Sequence, residues 1–182
     1  MIPEPCVATI GFFDGVHMGH RYLIQQVKEI AAAKGLRSAL VTFPVHPRKV
    51  MNAAYHPELL TTPEEKTNLL AGTGVDYCLM LDFTPDISRL TAKEFMTQIL
   101  KERFQVKYLV IGYDHRFGHN RSEGFDDYVR YGQAIGIEVI RAQAYTDDIQ
   151  IDTIQSAPVS SSLIRKLLHQ GDVDVAARCL GY

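Results

Sequence analysis

Apolar positions fall into short unbroken runs that alternate with stretches spaced three to four residues apart. Residues 7–13 form the first run and read as a strand. Leu23, Ile24, Val27, Ile30 and Ala31 then recur at helical spacing, and Gly35 follows as a stop. A second strand covers residues 38–43. Thr62-Pro63-Glu64-Glu65 combines an N-cap, a first-turn proline and a capping-box glutamate, so a helix starts there. Residues 77–81 make a third strand. Thr91 and Glu94 form another capping box ahead of Phe95 and Ile99. Residues 108–111 are a fourth strand, 125–134 a helix and 137–141 a fifth strand. Residues 160–170 read as a helix closed by Gly171, and Asp172 can cap a last short one.

Strands alternating with helices predict an α/β domain with a mainly parallel sheet. Such sheets take ligands at the carboxyl ends of their strands. The informative loops therefore follow Phe12, Phe43 and Ile111. Residues 44–60 read as a long structureless connection, which in a compact domain is usually a lid or binding loop.

At 182 residues the chain predicts one domain with a sizeable core. An apolar share of 46% with 22% charged residues excludes a disordered or fibrous chain. The formal charge of −2 argues against a general nucleic-acid binder. No signal peptide and no apolar run of membrane length is visible, so a cytoplasmic location without membrane contact is expected. Cys6, Cys78 and Cys179 form no CxxC pair and read as three buried, reduced thiols. GxxxxGK[ST], GxGxxG and GxSxG are all absent.

The first strand ends in Gly11-Phe12-Phe13-Asp14-Gly15-Val16-His17-Met18-Gly19-His20. Two histidines flank a glycine where a helix begins. Free backbone N–H groups and a partial positive charge gather there. Two imidazoles could donate to phosphate oxygens, and Gly19 lets a phosphate approach the backbone. Other readings remain open on spacing alone. The pair could cap the helix, or bind a metal together with His115 and His119.

This segment resembles the HxGH signature of the nucleotidylyltransferase superfamily. Its wider GxFDGVHxGH form resembles the adenylyltransferase module of bacterial FAD synthetases, and three further segments agree in order. Thr42-Phe43-Pro44-Val45-His46-Pro47-Arg48 resembles the family's TFxPHP loop, with the proline one place early. Ile111-Gly112-Tyr113-Asp114-His115-Arg116-Phe117-Gly118, continuing to Gly124, resembles VGxDFxFGxxxxG, with His115 where phenylalanine is usual. Val159-Ser160-Ser161-Ser162-Leu163-Ile164-Arg165 resembles ISSTxIR, with Leu163 at a commonly basic position.

The resemblance implies a Rossmann-like, doubly wound, five-stranded sheet and the reaction of FMN with ATP to give FAD and pyrophosphate. It places His17, His20 and Arg165 on the reacting phosphates. Gly11, Phe12, Asp14, Gly15, Gly19, Asp114, Ser160, Ser161 and Ser162 fall on the ATP side. Phe43, Pro44, His46, Pro47, Arg48, Arg116 and Phe117 fall on the FMN side, with Phe43 and the prolines offering flat surface to the flavin ring. Mg²⁺ is expected with ATP, with no metal ligand assigned to the protein. The basic groups around residue 115 could serve phosphates, or neutralise Glu123, Asp126 and Asp127. Residues 1–182 are then one adenylyltransferase domain without the riboflavin kinase module, either one half of a two-module protein or a stand-alone adenylyltransferase. Alternatives are another HxGH nucleotidylyltransferase with a different phosphate acceptor, a non-catalytic flavin or nucleotide module, and a zinc protein.

Overall fold

Five parallel strands carry the chain: β1 (Cys6–Ile10), β2 (Arg37–Thr42), β3 (Tyr77–Met80), β4 (Val106–Ile111) and β5 (Glu138–Arg141), in spatial order β3-β2-β1-β4-β5. The computed structural model describes residues 4–112, 115–145, 150–151, 155–156 and 158–182. β1 is central and buried along its whole length, as a strand covered on both faces must be. β3 is an edge strand and alternates between half-buried and exposed residues.

Side chains alternate across the sheet, and each face buries its own set. Cys6, Ala8, Ile10, Ala39, Val41, Leu109 and Ile111 belong to one core. It is closed by Phe95, Met96, Leu100 and Tyr128 from three helical pieces. These are α5 (Ala92–Phe95), its π-helical continuation Met96–Arg103, and α6 (Phe125–Ile135). On the other face Val7, Leu40 and Val110 meet Ile24, Val27 and Ala31 of α1 (Met18–Lys34), and Leu70 of α3 (Pro63–Ala71). Each fully buried side chain of this size contributes about 1.5–3 kcal/mol. The last helices, α7 (Ser161–Gln170) and α8 (Val173–Leu180), pack Ile164, Leu167, Ala176 and Cys179 together.

The expected punctuation is present. Thr62 with Glu65, and Thr91 with Glu94, form complete capping boxes, and Gly35 and Gly171 end their helices in left-handed conformation. Three expectations need correction. Residues 44–60 are not structureless, because His46 caps the short helix α2 (Pro47–Met51). Asp172 precedes α8 but makes no side-chain cap. Cys78 is exposed rather than buried, because it lies on the edge strand; Cys6 and Cys179 are buried, and all three are free. The sequence pattern also gave no sign of α4 (Pro85–Ser88) or of the two-residue pair β6 (Gln150–Ile151) and β7 (Gln155–Ser156). No helix among the described residues is long and apolar enough to cross a membrane.

Candidate active site

The loop leaving β1 is strained. Phe13 (φ 58°) and Val16 (φ 42°) sit in the left-handed region, as does Gly15 (φ 82°). A branched residue there is costly, and such strain persists only where surroundings over-determine it. Phe13 and Val16 are both buried in the core beneath α1. Gly15 donates its N–H to Thr61 Oγ1 (3.3 Å), and its carbonyl accepts from Tyr182 (2.7 Å).

Asp14 is buried and gathers three segments. Its carboxylate accepts from the amides of Leu60 (2.9 Å) and Thr61 (3.3 Å) and from Arg165 Nη2 (2.7 Å). Its carbonyl accepts from Ser161 Oγ (2.8 Å). Arg165 also donates from Nε to the Glu58 carbonyl (2.6 Å). The loop leaving β1, residues 58–61 and the start of α7 thus form one unit.

His17 is the N-cap of α1: its Nδ1 accepts from the His20 amide at 3.2 Å. That bond puts the imidazole proton on Nε2, leaving a neutral donor. Burial holds its pKa down at about 4, with Asp14 opposing. The His20 ring stacks on it, centroids 3.5 Å apart and planes 16° from parallel, and meets Phe13 edge-on. Burial, then His17 and Lys66, hold His20 well below the ordinary histidine value. Gly19 lies between them, and a Cβ there would stand 3.1 Å from the His17 ring and 3.4 Å from the Val159 carbonyl. The starts of α1 and α7 are therefore in close contact.

A cavity of about 860 Å³ opens over these groups at the carboxyl ends of β1 and β4. This is where the strand order reverses, the general ligand position of open parallel sheets. Gly11, Phe12, Asp14, His17, Gly19, His20, Ser160, Ser161, Ser162 and Arg165 line it. On the β2 side it is walled by His46, Arg48 and Tyr55, and on the β4–β5 side by Gly112, His115, Arg121 and Gln143. His46 packs edge-on to Phe12 (4.7 Å), and Arg48 lies over Tyr55. Burial and then the nearby Arg48, Arg165 and Arg121 push the His46 pKa down. Burial and then Arg121 push that of His115 to about 4.

Several expected site residues stand elsewhere. Phe43 is in the core, edge-on to Phe83, and offers no surface to a ligand. It continues the alternation of Ala39 and Val41, and that parity was the available signal. Phe117 is likewise buried, stacked on Tyr128 at 4.3 Å. Pro44 and Pro47 are half-buried and off the cavity wall. Arg116 is exposed, off the cavity wall, and donates to the Arg121 carbonyl. Gly15 shapes the loop without lining the cavity. Asp114 lies outside the described residues. Asp127 is engaged by Arg130 and the Gly124 amide, so it does not need the basic groups near residue 115.

The sequence also gave no sign of Lys66. It is buried, and its ammonium donates to the carbonyls of Phe43 (2.8 Å) and Phe12 (3.1 Å). It lies 3.8 Å from the Phe12 ring centroid. Burial lowers its pKa to about 8, with Asp14 opposing. Tyr55, Arg121 and Gln143 were missed too; Gln143 follows β5, a strand end that the same ligand rule covers.

No three His, Cys, Asp or Glu side chains among the described residues come together as a metal site. His119 is exposed and bonded to the Ser88 carbonyl. Asp14 is the one carboxylate among the described cavity-lining residues, and its oxygens are taken by Arg165 and backbone amides. This donor set offers a metal ion no free carboxylate, but three arginines, neutral imidazoles and two helix starts suit phosphates.

Comparison with known proteins agrees. A family model described as FAD synthetase matches residues 1–158. The bifunctional riboflavin kinase/FMN adenylyltransferase of Listeria monocytogenes is 34% identical over 177 residues, 97% of this chain and 54% of that protein. Its counterpart in Escherichia coli K12 is 32% identical over 179 residues, 98% and 55%. That of Pseudomonas fluorescens is 35% identical over 176 residues, 97% and 54%. The chain spans about half the length of these relatives. A crystal structure from Streptococcus pneumoniae, described as a macrolide-efflux protein, superposes with a TM-score of 0.84 at 29% identity. It covers all of this chain and 56% of that one.

Proposed function

Because the chain belongs to the FAD synthetase family, we propose that it transfers AMP from ATP to the phosphate of FMN, releasing pyrophosphate. The observation that carries this is the stacked His17–His20 pair at the start of α1, on the central strand, with one cavity wall on each side. Two anionic substrates can meet over it, one against His46, Arg48 and Tyr55, the other against His115, Arg121 and Gln143.

The FMN phosphate has its second pKa near 6 and is largely dianionic at pH 7. It needs no general base. One of its oxygens forms a bond to the α-phosphorus of ATP as the bond from that phosphorus to the bridging oxygen breaks. The electron pair leaves on pyrophosphate. The protein supplies alignment and fixed positive dipoles. His17 donates from Nε2, His20 is held against it, and the α1 and α7 starts offer amides. Arg165 has two donors committed to Asp14 and Glu58, so it acts as a fixed cation with its remaining guanidinium N–H groups. Mg²⁺ would enter with the nucleotide as part of the substrate and would lower the charge on its phosphates.

The names of the relatives pair this transfer with riboflavin phosphorylation. The proposed activity of this chain is the adenylyl-transfer half, with a riboflavin kinase module as its proposed companion.

The test is incubation with FMN, ATP and Mg²⁺, with flavins separated by chromatography and a parallel reaction on riboflavin. FMN should become FAD, with falling emission as adenine stacks on the flavin, and riboflavin should stay unchanged. ATP binding without FAD formation would overturn the assignment in favour of another phosphate acceptor or a non-catalytic module.

A further inference from the structure

Residues 44–59 rise from the sheet as an arch that carries His46, Arg48 and Tyr55, and each foot is held by a buried charge. At the first foot Lys66 grips the Phe43 carbonyl, and the same ammonium grips the carbonyl of Phe12 in the phosphate-facing loop. At the second foot Asp14 grips the amides of Leu60 and Thr61. Lys66 does not line the cavity; it lies behind Phe12. A lysine that is 2% exposed must have a compensating reason to be there, since burying an ammonium is costly.

We propose that Lys66 is a positioning residue, whose bridge between the Phe12 and Phe43 carbonyls sets the distance from the arch to the histidine pair. The proposal rests on the adenylyl-transfer reading, because that chemistry needs two separately bound anions brought into line. The local groups give Lys66 little other purpose. Asp14 is already paired with Arg165, and no hydrogen bond joins it to Lys66. The Phe12 carbonyl would keep a second donor, Thr42 Oγ1 at 3.2 Å, but among the described residues the ammonium is the only side-chain donor to the Phe43 carbonyl. Without the ammonium the arch foot loses its tie and the phosphate loop does not.

Methionine is close in shape to lysine and lacks the ammonium, so the test is Lys66→Met. Leu70→Ala serves as a packing control, since Leu70 lies on the same helix, fully buried beneath Phe13 and Val16 and off the cavity wall, so it separates loss of packing from loss of the ammonium. Both variants should melt below wild type. With Lys66→Met, turnover should fall about 10–100-fold, the scale expected of slight misalignment. Dissociation constants for FMN alone and for ATP alone should stay within about threefold. Leu70→Ala, assayed below its own melting point, should keep near-wild-type turnover. Hydrogen exchange supplies a readout independent of catalysis: Lys66→Met should raise exchange in peptides covering residues 43–55, and Leu70→Ala should not. Wild-type protein that makes no FAD would overturn the adenylyl-transfer reading, and the exchange result would still decide the bridge. Turnover in Lys66→Met equal to that of Leu70→Ala, or exchange unchanged over the arch, would overturn the positioning role.

Discussion

The amide of His20 donates to Nδ1 of His17 while their rings stack 3.5 Å apart. One interaction starts the helix, fixes the tautomer of His17 and holds His20 flat against it. Folding and the proposed phosphate recognition thus share the same atoms, and substitutions at His17 must be chosen to separate them.

His17→Asn keeps a side-chain oxygen able to cap α1, whereas His17→Ala loses the cap as well as the Nε2 donor. Alanine should therefore cost about 1 kcal/mol of stability and asparagine much less. Both should lower turnover by about 10²–10³, the usual cost of a preorganised donor. His20→Ala should lose a similar factor without unfolding. Thermal melts and steady-state rates on the three variants check this.

Burial keeps His17 and His115 near pKa 4 when folded, against 6.5 when exposed, and His20 is lowered in the same direction. The unfolded chain therefore binds more protons between these values. Stability from these groups is full above about pH 6.5 and shrinks as pH falls towards 4. Asp76 and Asp127 sit below the usual carboxylate range, so their contributions fade only at still lower pH. Melting temperature should fall from pH 6.5 to 4.5, and His115→Phe should flatten that slope. Turnover above pH 6.5 should be insensitive to these histidines, with an acid limb near the second phosphate pKa of FMN, about 6.

Arg165 compensates a buried carboxylate as well as facing the cavity. Arg165→Met leaves Asp14 without its cation and should cost about 3–5 kcal/mol. Adding Asp14→Asn removes the orphaned charge, so the double variant should regain stability in denaturant titrations. It should regain no turnover, since the cavity still lacks its arginine.

Gly15→Ala should destabilise the loop by about 1–3 kcal/mol, since φ is +82° and the added Cβ would meet Leu60 Cδ1 at 2.8 Å. Leu60 is at the second foot of the arch, so turnover should fall together with melting temperature, which steady-state rates and thermal melts check.

Fold and site were legible to different depths. Runs and capping boxes marked all five central strands and most helices, because parallel sheets buried on both faces need continuous apolar stretches. α4 and the π turn went unread, being a single turn and a hydrogen-bonding variant that spacing does not reveal. The loop after β1 was legible because its residues are contiguous. Phe43 and Phe117 were misread as ligand surface, since a motif names residues without saying which face of the sheet they join. Lys66 was invisible for another reason. It sits in Pro-Glu-Glu-Lys-Thr, a run that looks solvated, and only the assembled ends of β1 and β2 give its ammonium two carbonyls.

The arch over residues 44–59 also bears on how such a site can change through descent. Both feet are tied by groups outside it, Lys66 at one end and Asp14 at the other. Its span can therefore be rewritten or extended while sheet and phosphate loop stay as they are, and even doubling its length would cost only about 0.6 kcal/mol in closure entropy. On the proposed chemistry, acceptor preference can drift in this stretch while the nucleotide half is inherited intact.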